Sequence, residues 1–162
     1  MTNNTRSRWI AQGALIAALY VVLTLAFAPI SFGPVQMRIA EALAIMPLFT
    51  SAAVPGLFIG CLIANMLGGC VAVDVIFGSL ATLIGAWIGR KLMHNRWLVP
   101  LPTVLSNTVI VPFVLRYGYG IADIPLPLMM VYILIGEVLG CYILGELLGT
   151  ALIHRKDIIF KS

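Results

Sequence analysis

The stretch WIAQGALIAALYVVLTLAFA, residues 9–28, carries no charge and has the length of one bilayer crossing. A spanning helix needs roughly 20 apolar residues, because the hydrocarbon core offers no partner to an exposed backbone group. The whole chain has a similar composition: of its 162 residues, 61% are hydrophobic and only 10% are charged. That balance predicts an integral membrane protein, with residues 1–162 forming a single transmembrane domain.

Helix breakers and charges divide the chain into six predicted helices, so the expected fold class is all-α with six transmembrane helices. They cover about residues 9–29, 36–50, 54–69, 72–93, 98–116 and 126–153. The second helix is short for a bilayer and contains Pro47. This predicts a broken or partly re-entrant segment that lines protein rather than lipid.

Basic residues determine the predicted orientation of these helices. They form three clusters: Arg6 and Arg8; Arg90, Lys91 and Arg96; and Arg155, Lys156 and Lys161. With six crossings all three clusters fall on one side, which the positive-inside rule makes cytoplasmic together with both termini. The net charge of +4 then reflects membrane topology and does not indicate nucleic acid. We expect a multi-pass protein in contact with membrane lipid, in a bacterial plasma membrane.

Small residues on the first predicted helix form a nearly smooth face. Ala11, Ala14 and Ala18 lie one turn apart, with Gly13 and Ala17 beside them. Such faces allow close approach of another helix. The partner is either a helix of the same chain or a helix of another subunit, and composition leaves both alternatives open.

Strongly polar side chains inside the predicted helices concentrate in the outer half of the membrane. They are Arg38, Glu41, Asn65, Asp74, Asn107, Arg116 and Glu137. An ionisable group at membrane depth costs roughly 2.5 to 3.5 kcal/mol, so such groups normally face a cavity or each other and mark a binding site. The simpler alternative for Arg38 and Glu41 alone is a structural ion pair. The excess of acids over arginines favours a small cationic ligand.

The inner half is nearly bare of such groups, with the exception of Glu146. At ~100° per residue Glu146 points to the opposite face from Glu137, so the two carboxylates cannot share a site. Glu146, Thr150 and His154 instead predict a polar stripe near the cytoplasm.

The sequence lacks the motifs that several classes of function require. The chain has no phosphate-cradling loop, histidine metal pair or nucleophile elbow, and no cofactor, metal or catalytic residue is predicted. His94 and His154 both lie on the predicted cytoplasmic side, so no histidine joins the outer polar set, which disfavours a membrane enzyme. The cysteines have no metal-type spacing and are interpreted as small buried apolar residues: Cys61, Cys70 and Cys141.

Two blocks, RIAEALAIMPLFTSAAVPGLFIGCLIANMLGG (38–69) and DVIFGSLATLIGAWIG (74–89), resemble the queuosine-precursor transporter family, QueT. Its members are substrate-binding subunits, or S components, of energy-coupling-factor (ECF) transporters. The resemblance implies capture of 7-aminomethyl-7-deazaguanine or a close relative, and ATP-driven uptake through a coupling transmembrane subunit and two ATPase subunits. It also implies that the face with Ala14 and Ala18 slides on the coupling subunit.

The implied ligand matches the polar set chemically. A guanine edge offers two adjacent N–H donors to one carboxylate, and an ammonium arm requires a second acid. We predict Glu137 for the guanine edge, Asp74 for the ammonium arm, and Arg38 with Glu41 as the outer wall, where the arginine keeps the glutamate ionised. Asn65 and Asn107 remain for the other ring heteroatoms. Three aromatic residues lie in the predicted outward loops: Phe32, Tyr117 and Tyr119. They either cover a planar ligand or anchor the chain at the membrane interface.

The alternative function is a solitary secondary transporter of a nucleobase-like solute. Alternating-access sites usually lie near the midplane between internal repeats. The polar set is confined to one half of the membrane and no repeat is visible, so the sequence disfavours this alternative.

Overall fold

The computed structural model describes residues 3–32 and 36–154, in which all regular secondary structure is helical. The α-helices are α1 (Asn3–Ala26), α2 (Ala28–Ser31), α3 (Ala53–Leu67), α4 (Ala72–Lys91), α5 (Leu101–Phe113), α6 (Leu126–Glu137) and α7 (Gly145–Ile153). A long 3-10 helix, Ile39–Leu48, precedes α3, and a short one, Arg96–Leu98, precedes α5. One π-helical segment, Val114–Gly118, extends α5, and another, Val138–Leu144, joins α6 to α7.

Each of these elements overlaps one of the six predicted segments, although α1 begins at Asn3 rather than near residue 9, and they do not all have spanning length. Four helical stretches in the described part of the chain are long and apolar enough to cross a membrane: Asn3–Ala26, Ala72–Lys91, Arg96–Gly118 and Leu126–Ile153. The second and third segments are shorter apolar helices. The all-α, multi-pass class is therefore supported, whereas six crossings and cytoplasmic termini stay predictions. The third basic cluster, Arg155, Lys156 and Lys161, lies outside the described residues.

The long 3-10 helix is the segment in which the sequence predicts a break. Its residues from Ala40 to Pro47 are all buried, so it lines protein rather than lipid, as predicted. Pro47 has no N–H to donate to a helix, and 3-10 runs of this length are uncommon without tertiary support. That support comes from α1, α4, α7 and the second π-helical segment, which pack around it.

The small residues of α1 divide between two faces. A Cβ added at Gly56 of α3 would lie 2.7 Å from the carbonyl oxygen of Gly13, and one at Gly60 would lie 3.0 Å from Cα of Ala17. Gly13 and Ala17 therefore belong to a tight seam within the chain, and the expectation that they extend one smooth face is wrong. The remaining small residues of that set are exposed on the other side of α1: Ala11, Ala14 and Ala18.

Candidate ligand-binding site

Six of the seven predicted polar residues are buried inside the bundle. Their exposed fractions are all 6% or less: Arg38, Glu41, Asn65, Asp74, Asn107 and Glu137. The seventh, Arg116, is half-buried, and its Nη1 donates to the carbonyl oxygens of Ala122 and Ile124, both at 3.1 Å. Arg116 thus stabilises the link before α6, and the hydrogen bonds described for it go to these backbone groups and not to the other six residues.

Two carboxylates from different helices approach each other in the centre of this cluster. One oxygen of Glu41, one of Glu137 and the Cys141 sulfur all lie within 4.8 Å of one another. Two ionised carboxylates at that distance repel by about 3.5 kcal/mol at an effective dielectric of ~20. The arrangement therefore favours a ligand that brings positive charge or N–H donors between them.

Neighbouring donors already hold part of each carboxylate. The Tyr20 hydroxyl donates to Glu41 Oε1 at 2.5 Å. Asn107 Nδ2 donates to Glu137 Oε1 at 3.0 Å, and the Cys141 thiol donates to Glu137 Oε2 at 3.4 Å. A carboxylate oxygen has a second lone pair, so these contacts orient the acids without saturating them.

Arg38 and Glu41 are not directly ion-paired. Within the described residues the salt bridge found joins Arg96 to Glu146, and none joins Arg38 to an acid. Arg38 instead directs Nη1 to the Cys61 sulfur at 3.7 Å. The alternative of a simple structural ion pair is therefore wrong.

Cys61 is a shared acceptor rather than a passive apolar residue. Besides Arg38, it faces Asn65 Nδ2 at 3.7 Å and the Thr82 hydroxyl at 3.5 Å. Sulfur accepts hydrogen bonds weakly. Asn65 and Thr82 have a second acceptor, the carbonyl oxygens of Asp74 and Gly78, whereas Arg38 Nη1 has the Cys61 sulfur as its acceptor in the described structure. Buried atoms of the cluster that lack any hydrogen-bond partner in the described structure are Arg38 Nε and Nη2, Asn65 Oδ1 and Asp74 Oδ1.

A cavity of about 430 Å³ is connected to the cluster through neighbouring side chains, but none of the seven predicted polar residues is among the described residues that line it. Phe32, Cys70, Tyr119 and apolar residues of the segment before α6 line it. The Phe32 ring covers the Arg38 guanidinium at 5.5 Å, and the Tyr119 hydroxyl donates to Asp74 Oδ2 at 2.9 Å. These two aromatic residues thus connect the cavity to the buried charges.

Tyr119 is suited to act as a donor at this position. Burial raises the pKa of its hydroxyl, and the neighbouring Cys70 and Asp74 raise the pKa further. The hydroxyl therefore keeps its proton at neutral pH. Tyr117, by contrast, is 78% exposed and stacks on Phe113, away from the lining of the cavity.

Three residues that make hydrogen bonds within the buried polar cluster were not predicted from the sequence as site residues: Tyr20, Cys61 and Cys141. A tyrosine in the middle of a spanning helix, far from either interface, is an unusual position and was an available signal for Tyr20. The two cysteines carry no such signal, because buried free cysteine is common and its partners come from other helices.

The comparison with protein families identifies the class of protein that contains this buried cluster. Residues 10–154 match the profile described as QueT transporter. The chain belongs to the QueT transporter family. As a QueT family member it is a multi-pass membrane transporter. Neither a curated protein nor a solved structure matches the chain.

Proposed function

We propose that this QueT family member is the substrate-binding S component of an ECF-type importer and that it captures a queuosine precursor from outside the cell. The observation that carries the proposal is the set of buried polar atoms without a hydrogen-bond partner on Arg38, Asn65 and Asp74. Two of these residues contact the lining of the cavity, Arg38 through Phe32 and Asp74 through Tyr119. Leaving a buried donor or acceptor unpaired costs about 1 to 3 kcal/mol each. A ligand that supplies the missing partners recovers that cost on binding.

The ligand that fits this inventory is 7-aminomethyl-7-deazaguanine or a close relative. Its guanine edge presents adjacent N–H donors to Glu137, the acid enclosed by α5, α6 and the 3-10 helix. Its ammonium arm meets Asp74, which contacts cavity-lining Tyr119. Arg38 offers the N–H groups of two unpartnered nitrogens, Nε and Nη2, to a carbonyl or ring nitrogen. The amides Asn65 and Asn107 complete the ring contacts.

In this proposal the site end of the bundle, containing Phe32, Asp74 and Tyr119, faces outside. The opposite, basic end contains Arg6, Arg8, Arg90, Lys91 and Arg96. Basic residues accumulate in cytoplasmic loops, so this distribution supports the orientation. Trp87 and Trp97 support it further, since they lie against Lys91 and Arg96 as in an interfacial belt.

The exposed alanine face of α1 is the proposed docking surface for the coupling subunit. Ala11, Ala14 and Ala18 face away from the α3 seam. Small side chains allow two helix backbones to approach closely and to slide, because no large side chain interlocks. The energising partners in this proposal are the coupling transmembrane subunit and two ATPase subunits.

Calorimetric titration of the purified protein tests the substrate. The ligands are guanine, the 7-cyano and 7-aminomethyl deazaguanines, and queuine. We expect the 7-aminomethyl form to bind most tightly, because it alone among the 7-substituted precursors pairs a guanine edge with a primary ammonium. Failure of all four ligands to bind would overturn the proposed substrate class.

Uptake measurements test the coupling. Cells that express this chain with an ECF module should accumulate the bound ligand, and cells that express it alone should not. Full uptake by the chain alone would instead support the solitary secondary transporter.

A further inference from the structure

Tyr20 is the site-end residue whose role neither the family match nor the ligand chemistry assigns. It lies in α1, its side chain has no exposed surface, and its hydroxyl donates to Glu41 Oε1 at 2.5 Å. That distance is typical of a charge-assisted O–H···O⁻ hydrogen bond. The Tyr20 hydroxyl is engaged by Glu41, so it reaches the proposed ligand site through that carboxylate.

The packing of α1 against α3 supports this contact. A Cβ at Gly60 would lie only 2.8 Å from the Tyr20 Cβ. The glycine therefore allows α1 to approach α3 closely at this level, which brings the phenol within reach of the 3-10 helix. Thr24, one turn later, donates to the Tyr20 backbone carbonyl and leaves the phenol hydroxyl to Glu41.

Glu41 depends on this bond for its orientation. It has no ion pair with Arg38, and a second carboxylate, Glu137, approaches it within 4.8 Å. Among the described residues Tyr20 is the side chain that hydrogen-bonds the Glu41 carboxylate, and it engages Oε1 only. The hydrogen bond thus fixes the side-chain torsions of Glu41 and leaves Oε2 for another donor.

We propose that Tyr20 is a positioning residue for ligand capture, which holds Glu41 so that its free oxygen accepts an N–H or ammonium donor of the bound molecule. The assignment rests on the proposed function of the site. It adds a residue of α1 to ligand binding, on the same helix that exposes Ala14 and Ala18 on its opposite face. The site and the docking surface therefore share one rigid element.

A double-mutant cycle tests this role by calorimetry, with 7-aminomethyl-7-deazaguanine and guanine as the probes. The variants are Tyr20→Phe, Glu41→Ala and the double variant, and Tyr142→Phe is the matched control. Tyr142 donates its hydroxyl to the Trp97 carbonyl at 3.0 Å, so the control removes one tyrosine hydrogen bond at the basic end. Thermal unfolding of each variant checks that it still folds. The double variant removes both partners of the hydrogen bond, so it leaves neither of them buried and unpaired.

We expect Tyr20→Phe to weaken probe binding by roughly tenfold, whereas Tyr142→Phe leaves it unchanged. In the Glu41→Ala background Tyr20→Phe should have no further effect on affinity, because the group that it positions is gone. A purely structural role would instead weaken binding equally in both backgrounds, and that result would overturn the assignment. Wild-type affinity in Tyr20→Phe would overturn it as well. Absence of probe binding by the wild-type protein would overturn the proposed function and this assignment together.

Discussion

The arginines at the two ends of the bundle differ in their hydrogen-bond partners. At the basic end, Arg96 donates through Nε and Nη2 to Glu146 Oε2, and Nη2 also donates to Thr150. At the site end, Arg38 has no carboxylate partner, and its Nε and Nη2 have no hydrogen-bond partner in the described structure. A cation that is paired with an acid of its own chain holds helices together. One that is buried without such a partner remains available to a ligand.

This difference is visible in what each acid contacts. Glu146 belongs to α7 and connects it to the segment before α5, although its Oε1 stays unpartnered. Among the described residues, the hydrogen bonds to the Glu41 and Glu137 carboxylates come from neutral donors: a phenol, an amide and a thiol. Charged ligands gain most where the protein has left opposite charge uncompensated, so binding is expected at the site end and stability at the basic end.

The largest expected effect is on uptake, and it concerns the exposed alanine face of α1, which belongs to neither end. The double variant Ala14→Leu with Ala18→Leu should abolish most ATP-driven uptake, because bulky side chains prevent close approach of the coupling subunit. Ligand affinity of the purified variant should stay within about 0.5 kcal/mol of wild type, as for surface substitutions in general. Uptake into cells measures the first effect, and calorimetry on the purified variant measures the ligand affinity. Normal uptake would remove this face from the proposed interface.

Glu137→Gln should produce the next largest effect. It should weaken binding of every guanine-like ligand by about 1.5 to 3 kcal/mol, because one charged hydrogen bond is lost in a buried site. Glu146→Gln is the matched control, since it makes the same change in the same helical run and should leave affinity unchanged. Equal losses of affinity in both variants would contradict the assignment of binding to the site end.

Arg96→Met should affect stability rather than binding. The Arg96 side chain is about a third exposed, so solvent screens the ion pair and a loss of about 1 kcal/mol is expected. Thermal unfolding in detergent, with and without ligand, measures it. A loss of ligand affinity without loss of stability would show that the basic end contributes to the ligand site.

The smallest predicted effect is a change of selectivity. Asp74→Asn should reduce the preference for the 7-aminomethyl over the 7-cyano deazaguanine by about 1 kcal/mol, because the ammonium arm loses its charged partner. Affinity for guanine, which lacks the arm, is the internal control. Equal losses for all three ligands would mean that Asp74 meets the ring instead of the arm.

Much of the site could be predicted from residue type alone. A charged or amide side chain inside an apolar run cannot be left in lipid, so Arg38, Asn65, Asp74 and Glu137 were recognisable as buried groups. The same argument included Arg116, which instead bonds to backbone carbonyls of the neighbouring link. The cost of burial does not distinguish a ligand site from a backbone contact at the end of a helix.

The amino-acid sequence by itself determined that the chain lies in a membrane, that it is helical, and which polar residues must be enclosed. Hydrophobicity and the cost of burying charge are properties of single residues and short runs, so they can be read from the sequence. The tertiary structure decided which groups meet. Tyr20 reaches Glu41 only because Gly60 lets two helices approach closely, and Arg38 turns to Cys61 instead of to the acid three residues away. Such partners lie on different helices, so their pairing depends on helix separation and crossing geometry, which no local pattern of residues contains.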